Sequence, residues 1–151
     1  MRTPTSHYYY GAVLNQLIHC CSSLKIQSLP TSGNNSFLIN EKVALYIKYT
    51  KKTISPWRFT FERIHQEEIL SLREMFKHTY VVFVCSKDGI VSISYENLKF
   101  ILDHEFKEAE WISFSRTGAQ RYKVSGTDGI LPYKLTNKSF PNEIADLLKK
   151  F

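Results

Sequence analysis

Lys42–Phe61 reads KVALYIKYTKKTISPWRFTF, and its reading decides the fold. From Val43 to Thr50, Val43, Leu45, Ile47 and Tyr49 alternate with Ala44, Tyr46 and Lys48, the period of two that marks a strand. Lys51, Lys52 and Thr53 form a charged connection, Ser55-Pro56 keeps the chain extended, and Trp57–Phe61 is a further strand. Trp57, Phe59 and Phe61 share the side suited to a core, with Arg58 and Thr60 opposite. The stretch holds five Lys or Arg and no acid, so it is the most basic part of the chain as well as the most β-like.

Working outward, Tyr10, Val13, Leu14, Leu17, Ile18 and Cys21 recur at intervals of three, four and seven, which predicts a helix over 7–22 with Ser6 as N-cap. Residues 1–6 are expected to be a flexible lead-in to a single domain spanning 7–151. LKIQSL is a short strand candidate before a Pro/Ser/Gly/Asn loop, and Phe37–Asn40 turns through Asn40-Glu41-Lys42 into the strand at Val43. Residues 62–77 read as an amphipathic helix with Ile69, Leu72 and Phe76 inward. Its Glu67, Glu68 and Glu74 alternate with Arg63, Arg73 and Lys77 as a solvated face.

Tyr80–Cys85, YVVFVC, is a continuous apolar run of strand length, expected in the middle of a sheet with both faces covered. Lys87-Asp88-Gly89 turns it into Ile90–Ser94, and Tyr95–Leu102 follows as a short helix with Leu98 and Ile101 or Leu102 inward. After an acidic connection, 103–110, the segments WISFS and QRYKVSG form a hairpin across Arg116–Ala119. Ile130–Leu135 is either an edge strand or none, because Pro132 cannot donate to a ladder. Pro141 opens a terminal helix with Ile144, Leu147, Leu148 and Phe151 on one face. The fold class is therefore α/β (α+β): one domain with a central mixed sheet and hairpins, flanked by three to four helices.

With 151 residues, 43% hydrophobic and 23% charged, the chain has the size and make-up of one globular domain, and disorder is excluded. No apolar run nears the roughly 20 residues of a membrane span, so the expectation is a cytoplasmic protein with no membrane contact. Cys20, Cys21 and Cys85 are odd in number with two adjacent, and read as reduced thiols. A net charge of +6 favours a polyanionic partner. The bases concentrate in the β-regions, five against one acid over 111–138, while 96–110 holds five acids against two bases. The two basic regions either share one face or cover separate parts of a sheet rim.

Chemistry is harder to place. His19, Cys20 and Cys21 are consecutive on a helix, pointing about 100° apart, and cannot converge on one ion. His65 with Glu68, and His104 with Glu105, lack a second ligand pair and read as solvated, and Cys85 as a buried thiol. No Walker A loop, GxGxxG fingerprint or nucleophile elbow occurs, so no cofactor or metal is expected.

The order helix, strand, hairpin strand, further strand, helix, central strand over about residues 8–94 resembles the core of the PD-(D/E)xK restriction-endonuclease-like superfamily. In that family the hairpin ends on an acid, any residue and a lysine, and an earlier acid completes a Mg²⁺ site. Lys48 stands at the lysine position, but Tyr46 replaces the acid and only Glu41 in the preceding turn offers a carboxylate. The resemblance thus implies a degenerate core that keeps a nucleic-acid-facing surface without hydrolysis.

The leading expectation is a non-catalytic nucleic-acid-binding module, for DNA or RNA, using Tyr46, Lys48, Lys51, Lys52, Arg58, Arg116, Arg121 and Lys123. Two alternatives stand beside it. One is a protein-interaction adaptor or subunit of a larger complex, of the defence or mobile-element kind, docking a partner protein through aromatic and acidic segments. The other is a metal-dependent nuclease with Glu41 and Lys48 as its nominated residues.

Overall fold

The computed structural model describes residues 2–102, 109–135 and 139–151. The elements run α1 (Thr5–Cys20), β1 (Ile26–Leu29), β2 (Ser36–Ile39), β3 (Val43–Thr50), β4 (Trp57–Phe61), α2 (Arg63–Met75), β5 (His78–Cys85), β6 (Gly89–Ser94), α3 (Tyr95–Leu98), β7 (Glu110–Ser115), β8 (Lys123–Gly126), β9 (Gly129–Ile130) and α4 (Ser139–Leu148). The chain is a small α+β domain, as its periodicities predict. His104, Glu105 and most of the acidic connection lie outside the described residues; its last member, Glu110, is the buried first residue of β7.

The strands form two sheets rather than one. The first, ordered β1-β2-β3-β5-β6, is mixed: β1, β2 and β3 are an antiparallel meander, β3 and β5 run parallel, and β5 and β6 form a hairpin. The second, β4-β7-β8-β9, is antiparallel. The two strands of the basic stretch therefore never pair with each other. Residues 51–56 carry the chain from one sheet to the other, and β4 with α2 makes the crossover that a parallel β3–β5 pair requires.

Side-chain alternation explains the layering. Val43, Leu45 and Ile47 of β3 and Tyr80, Val82 and Val84 of β5 face Val13 and Leu17 of α1 and Phe140, Ile144 and Leu148 of α4. On the other side Ala44, Tyr46, Val81 and Phe83 meet Trp57, Phe59 and Phe61 of β4, Ile112 and Phe114 of β7, and Ile69 and Leu72 of α2. The order through the molecule is helices, sheet, second sheet. Phe83 is the hub of this second core, with its ring centroid 5.0 Å from Phe59, 5.9 Å from Phe61 and 4.7 Å from Phe114. The aromatic triplet of β4 is core, as its alternation predicts, and β5 is covered on both faces. Tyr46 and Lys48, nominated from sequence for binding, lie on the side of β3 that the second sheet covers.

Boundaries shift for local reasons. The predicted Ser6 cap is not used: Pro4 precedes the first turn and Ser6 lies inside α1. Ile18 and Phe151, placed inward by periodicity, are exposed, whereas Val13 and Leu17 of α1 and Phe140, Ile144 and Leu148 of α4 are the buried residues of these helices over the sheet. Ile130–Leu135 shrinks to the two residues of β9 and a lone bridge from Leu135 to Tyr122, consistent with Pro132 between them. At Gly129 a Cβ would lie 2.2 Å from the Phe100 carbonyl oxygen, so only glycine lets β9 close against the turn after α3. Among the described residues no helix is long and apolar enough to cross a membrane.

One polar clamp ties the two sheets together. Arg116, just past β7, has a side chain 4% exposed and sends Nε to Asp88 Oδ2 (2.9 Å) and Nη2 to the Asp88 carbonyl (3.0 Å) in the β5–β6 turn. The Tyr122 hydroxyl donates to the same carboxylate at 2.5 Å, and the guanidinium lies over the Tyr122 ring at 4.1 Å. Arg116→Met removes the charge-assisted hydrogen bonds to a part-buried Asp88 and is expected to destabilise the fold by about 1.5–3 kcal/mol, whereas exposed Arg121→Ala changes stability by under about 0.5 kcal/mol. Chemical denaturation of the two variants measures both.

Candidate nucleic-acid interface and an adjoining lysine pocket

The inner residues of the second sheet are buried, so their neighbours in sequence form its outer face. Register aligns Arg58 with Ser113, Thr60 with Trp111, Ser113 with Ser125, Ser115 with Lys123, and Ser125 with Ile130. This face is thus paved with serines and carries Arg58, Lys123 and a half-buried Trp111. The Arg58 guanidinium lies 4.3 Å from the centroid of the Trp111 ring, diagonal to it on adjacent strands. Sequence reasoning does not place Trp111 among the binding residues. A signal for it exists, because Ile112 and Phe114 inward require Trp111 and Ser113 outward.

The expected binding residues divide into three groups. Arg58 and Lys123 lie on this face and are exposed. Lys51, Lys52 and Arg121 are exposed at its margin: the Trp57 Nε1 donates to the Lys52 carbonyl (2.9 Å), pinning the basic connection to the start of β4, and Arg121 precedes buried Tyr122 at the start of β8. Among the described residues none of these five cations is within ion-pair distance of a carboxylate. The remaining three are corrections. Tyr46 is 1% exposed, because β3 is covered on both faces, and cannot stack on a base. Arg116 is committed to the Asp88 clamp. Lys48 is half-buried, with its amine turned under β4 rather than out to solvent.

Around Lys48 the chain builds a polar pocket of about 200 Å³, lined by Tyr10, Ser32, Asn35, Tyr46, Lys48, Tyr49 and His65 among others. Lys48 Nζ donates to the Thr60 carbonyl and lies 3.3 Å from His65 Nδ1 and 4.3 Å from the centre of the Phe61 ring. The Glu62 backbone N–H donates to the same Nδ1 at 3.1 Å; that nitrogen is therefore an acceptor and the imidazole carries its proton on Nε2. Tyr46 donates from its hydroxyl to Glu68 Oε1 (2.9 Å), while the Ser32 N–H donates to Oε2 (2.6 Å). His65 and Glu68, read from sequence as solvated, are thus tied into this site: His65 lines the pocket, and Glu68 holds two of its lining residues, Tyr46 and Ser32. Spacing along one helix could not reveal that, since their partners lie 17 and 22 residues away on β3.

Electrostatics follow from this burial. Desolvation pushes the Lys48 amine down to about 8, with Glu62 and Glu68 nearby opposing the shift. Burial, then the Lys48 charge, lowers His65 below its ordinary value. Burial, then the Glu68 carboxylate, raises the Tyr46 phenol. Among the described residues no carboxylate is within ion-pair distance of Lys48.

The other nominated groups stay apart. Glu41 forms an exposed ion pair with Lys25 on the far side of the β2–β3 turn. The His19 Nδ1 lies 2.8 Å from the Asn15 carbonyl, and Cys20 and Cys21 sulfurs are 3.5 Å from each other. Cys85 is buried beside Asp88, its thiol pushed up to about 12 chiefly by burial. Among the described residues no three His, Cys, Asp or Glu side chains converge as a metal site. Comparison with protein-family models, curated proteins and solved structures finds nothing that matches this chain.

Holding Lys48 charged at pH 7 costs the fold on the order of 3 kcal/mol. Between pH 8 and 10 the unfolded chain, with its lysine at 10.5, binds more protons than the folded one, so stability rises with pH across that window. Above about pH 10 the raised phenols of Tyr46, Tyr80 and Tyr122 reverse the trend. Lys48→Met is expected to raise the thermal midpoint at pH 7 and to remove the rise between pH 8 and 10, read from melts across that range.

Proposed function

We propose that the protein is a nucleic-acid-binding module whose contact surface is the outer face of the β4-β7-β8-β9 sheet. The observation that carries this reading is a set of exposed cations around one outward-facing aromatic: Arg58 over Trp111, with Lys123 on the same face and Lys51, Lys52 and Arg121 at its margin. Cations with no carboxylate within ion-pair distance among the described residues can contact phosphates and release counterions, which gives affinity without reading sequence. A half-buried indole offers a face on which an unpaired base can stack once the guanidinium moves aside to a phosphate. Ser113, Ser115 and Ser125 supply small hydroxyl donors between them and keep the surface flat enough for a strand to lie across it.

This combination suits single-stranded nucleic acid better than a duplex, because among the described residues this sheet's outer face presents strands rather than a helix to a major groove. In this reading the core is a degenerate relative of the restriction-endonuclease-like plan. Tyr46 stands in the place of a carboxylate and is occupied with Glu68, and Glu41 is occupied with Lys25, so binding without Mg²⁺-dependent hydrolysis is the expectation.

Fluorescence anisotropy with a labelled single-stranded oligonucleotide tests the reading. Binding is expected at low salt, with log K falling linearly against log salt. Arg58→Glu with Lys123→Glu should weaken it at least tenfold and flatten the slope by about 0.7 for each phosphate that is no longer neutralised. Trp111→Ala should cost about 1–3 kcal/mol by removing the stack. No binding at low salt, or affinity and slope indifferent to these changes, would overturn it.

A further inference from the structure

The C-terminal end of α1 carries two thiols that the nucleic-acid reading does not use. Were the helix to continue, Cys20 and Cys21 would point about 100° apart. It stops between them. Cys20 is the last helical residue, and Cys21 is already extended, with φ −121° and ψ 139°, while its N–H closes the final turn on the Leu17 carbonyl at 3.1 Å. The two sulfurs lie 3.5 Å apart. Sequence reasoning separates them because it carries the helix one residue too far.

Cys20 is exposed and Cys21 half-buried, and both are free thiols. Together they line a cavity of about 300 Å³ with Ser23, Leu24, Leu148 and Lys149 among others. Leu24 and Leu148 belong to the apolar layer between the helices and the first sheet, so one side of the thiol pair is apolar. Lys149 is the one charged residue on the cavity's lining, and its own ion pair with Asp146 is a loose, exposed one at 3.8 Å.

The donor set narrows the ligand. Among the described residues no third His, Cys, Asp or Glu joins the two sulfurs, and the neighbouring His19 turns its Nδ1 back to the Asn15 carbonyl, 2.8 Å away. Two thiolates do not complete a structural zinc site, which takes four ligands, or an iron–sulfur cluster held by four cysteines. They do complete a soft monovalent ion, for which thiolate is the preferred donor and two donors suffice. Metal–sulfur bonds of about 2.3 Å put the sulfurs roughly 3.7–4.6 Å apart, from a bent to a linear bridge. The observed pair need open by only about an ångström, which rotation of the exposed Cys20 side chain supplies.

We propose that Cys20 and Cys21 form a two-coordinate site for a soft monovalent metal ion of the copper(I) type, held as a bis-thiolate at the end of α1. The site lies in the helical layer, across the first sheet from the proposed nucleic-acid face, and the inference is independent of that reading. Each thiol releases its proton as its sulfur bonds to the ion. One copper(I) and two thiols thus give a bis-thiolate with one negative charge and two protons, and no electron is transferred. Lys149, lining the same cavity, offsets that charge. Exposure of Cys20 leaves the ion accessible for exchange with another thiol.

Anaerobic titration of the reduced full chain with copper(I), in competition with the coloured chelator bicinchoninate, tests the proposal. The expected result is one ion retained per chain, with two sulfur neighbours by X-ray absorption. Cys20→Ser and Cys21→Ser should each weaken retention at least tenfold. The Cys20 variant, altered at an exposed position, should keep the native melting curve, which separates loss of the site from loss of the fold. Cys85→Ala, at the buried thiol of β5, should take up copper(I) as the native chain does. A parallel titration with zinc is expected to show no one-to-one complex that survives the same competition. Failure to take copper(I) from the chelator, undiminished retention in either serine variant, a third sulfur or a nitrogen bound to the ion, or one ion linking two chains would each overturn the proposal. Tight one-to-one zinc binding would do so as well.

Discussion

The parallel pairing of β3 with β5 is the constraint on which the rest of the structure depends. Its eight residue pairs run from Val43 opposite His78 to Thr50 opposite Cys85. A parallel pair cannot be closed by a tight turn, so the chain must leave the sheet after Thr50 and return at His78. It must also be covered on both faces, since both strands carry apolar side chains up and down. α1 and α4 cover one face. The crossover itself supplies the start of the other layer: β4 leaves β3, lays Trp57, Phe59 and Phe61 over Tyr46, Val81 and Phe83, and α2 then returns the chain to β5. β7, β8 and β9 extend that layer into a sheet whose outer face is left to solvent.

Burying both faces of β3 has an electrostatic consequence, because the strand carries Tyr46 and Lys48 on the side that the second sheet covers. Each polar group so trapped has a specific partner: Tyr46 meets Glu68, Lys48 meets Thr60 and His65, and at the other end of the layer Arg116 meets Asp88 and Tyr122. The first two sit at the open end of the interface, where a pocket remains. The third sits where the turns of the two sheets meet, with the Arg116 side chain buried and Asp88 part-buried. The same kind of residue thus becomes a wall of a cavity in one place and a clamp in another, according to whether the layers have closed over it.

Much of the architecture is legible in local pattern. The apolar run YVVFVC could only be an interior strand, and Trp57, Phe59 and Phe61 could only share a core side. The Lys87-Asp88-Gly89 turn and the 111–126 hairpin follow from turn residues flanked by alternation. Trp111 could have been placed outward on the same grounds, opposite Ile112 and Phe114. The candidate site was less legible. Arg116 and Arg121, five residues apart with the same side chain, go to a buried ion pair and to solvent, and nothing in their immediate neighbours distinguishes them. His65 and Glu68 look like one solvated helix face until β3 is laid beneath it.

Sequence alone determined most of the elements, the core sides of β4, β5 and β7, the amphipathic face of α2, and the basic character of the β-regions. These depend on side-chain periodicity and on turn residues, which are local along the chain. Only the tertiary structure decided that Val43–Thr50 and Trp57–Phe61 belong to different sheets, that β3 has no solvent face, and which cations reach solvent. Those outcomes depend on contacts between segments distant in sequence, where the desolvation of a Tyr, Lys or Arg and the partner it then requires are set by whichever layer closes over it.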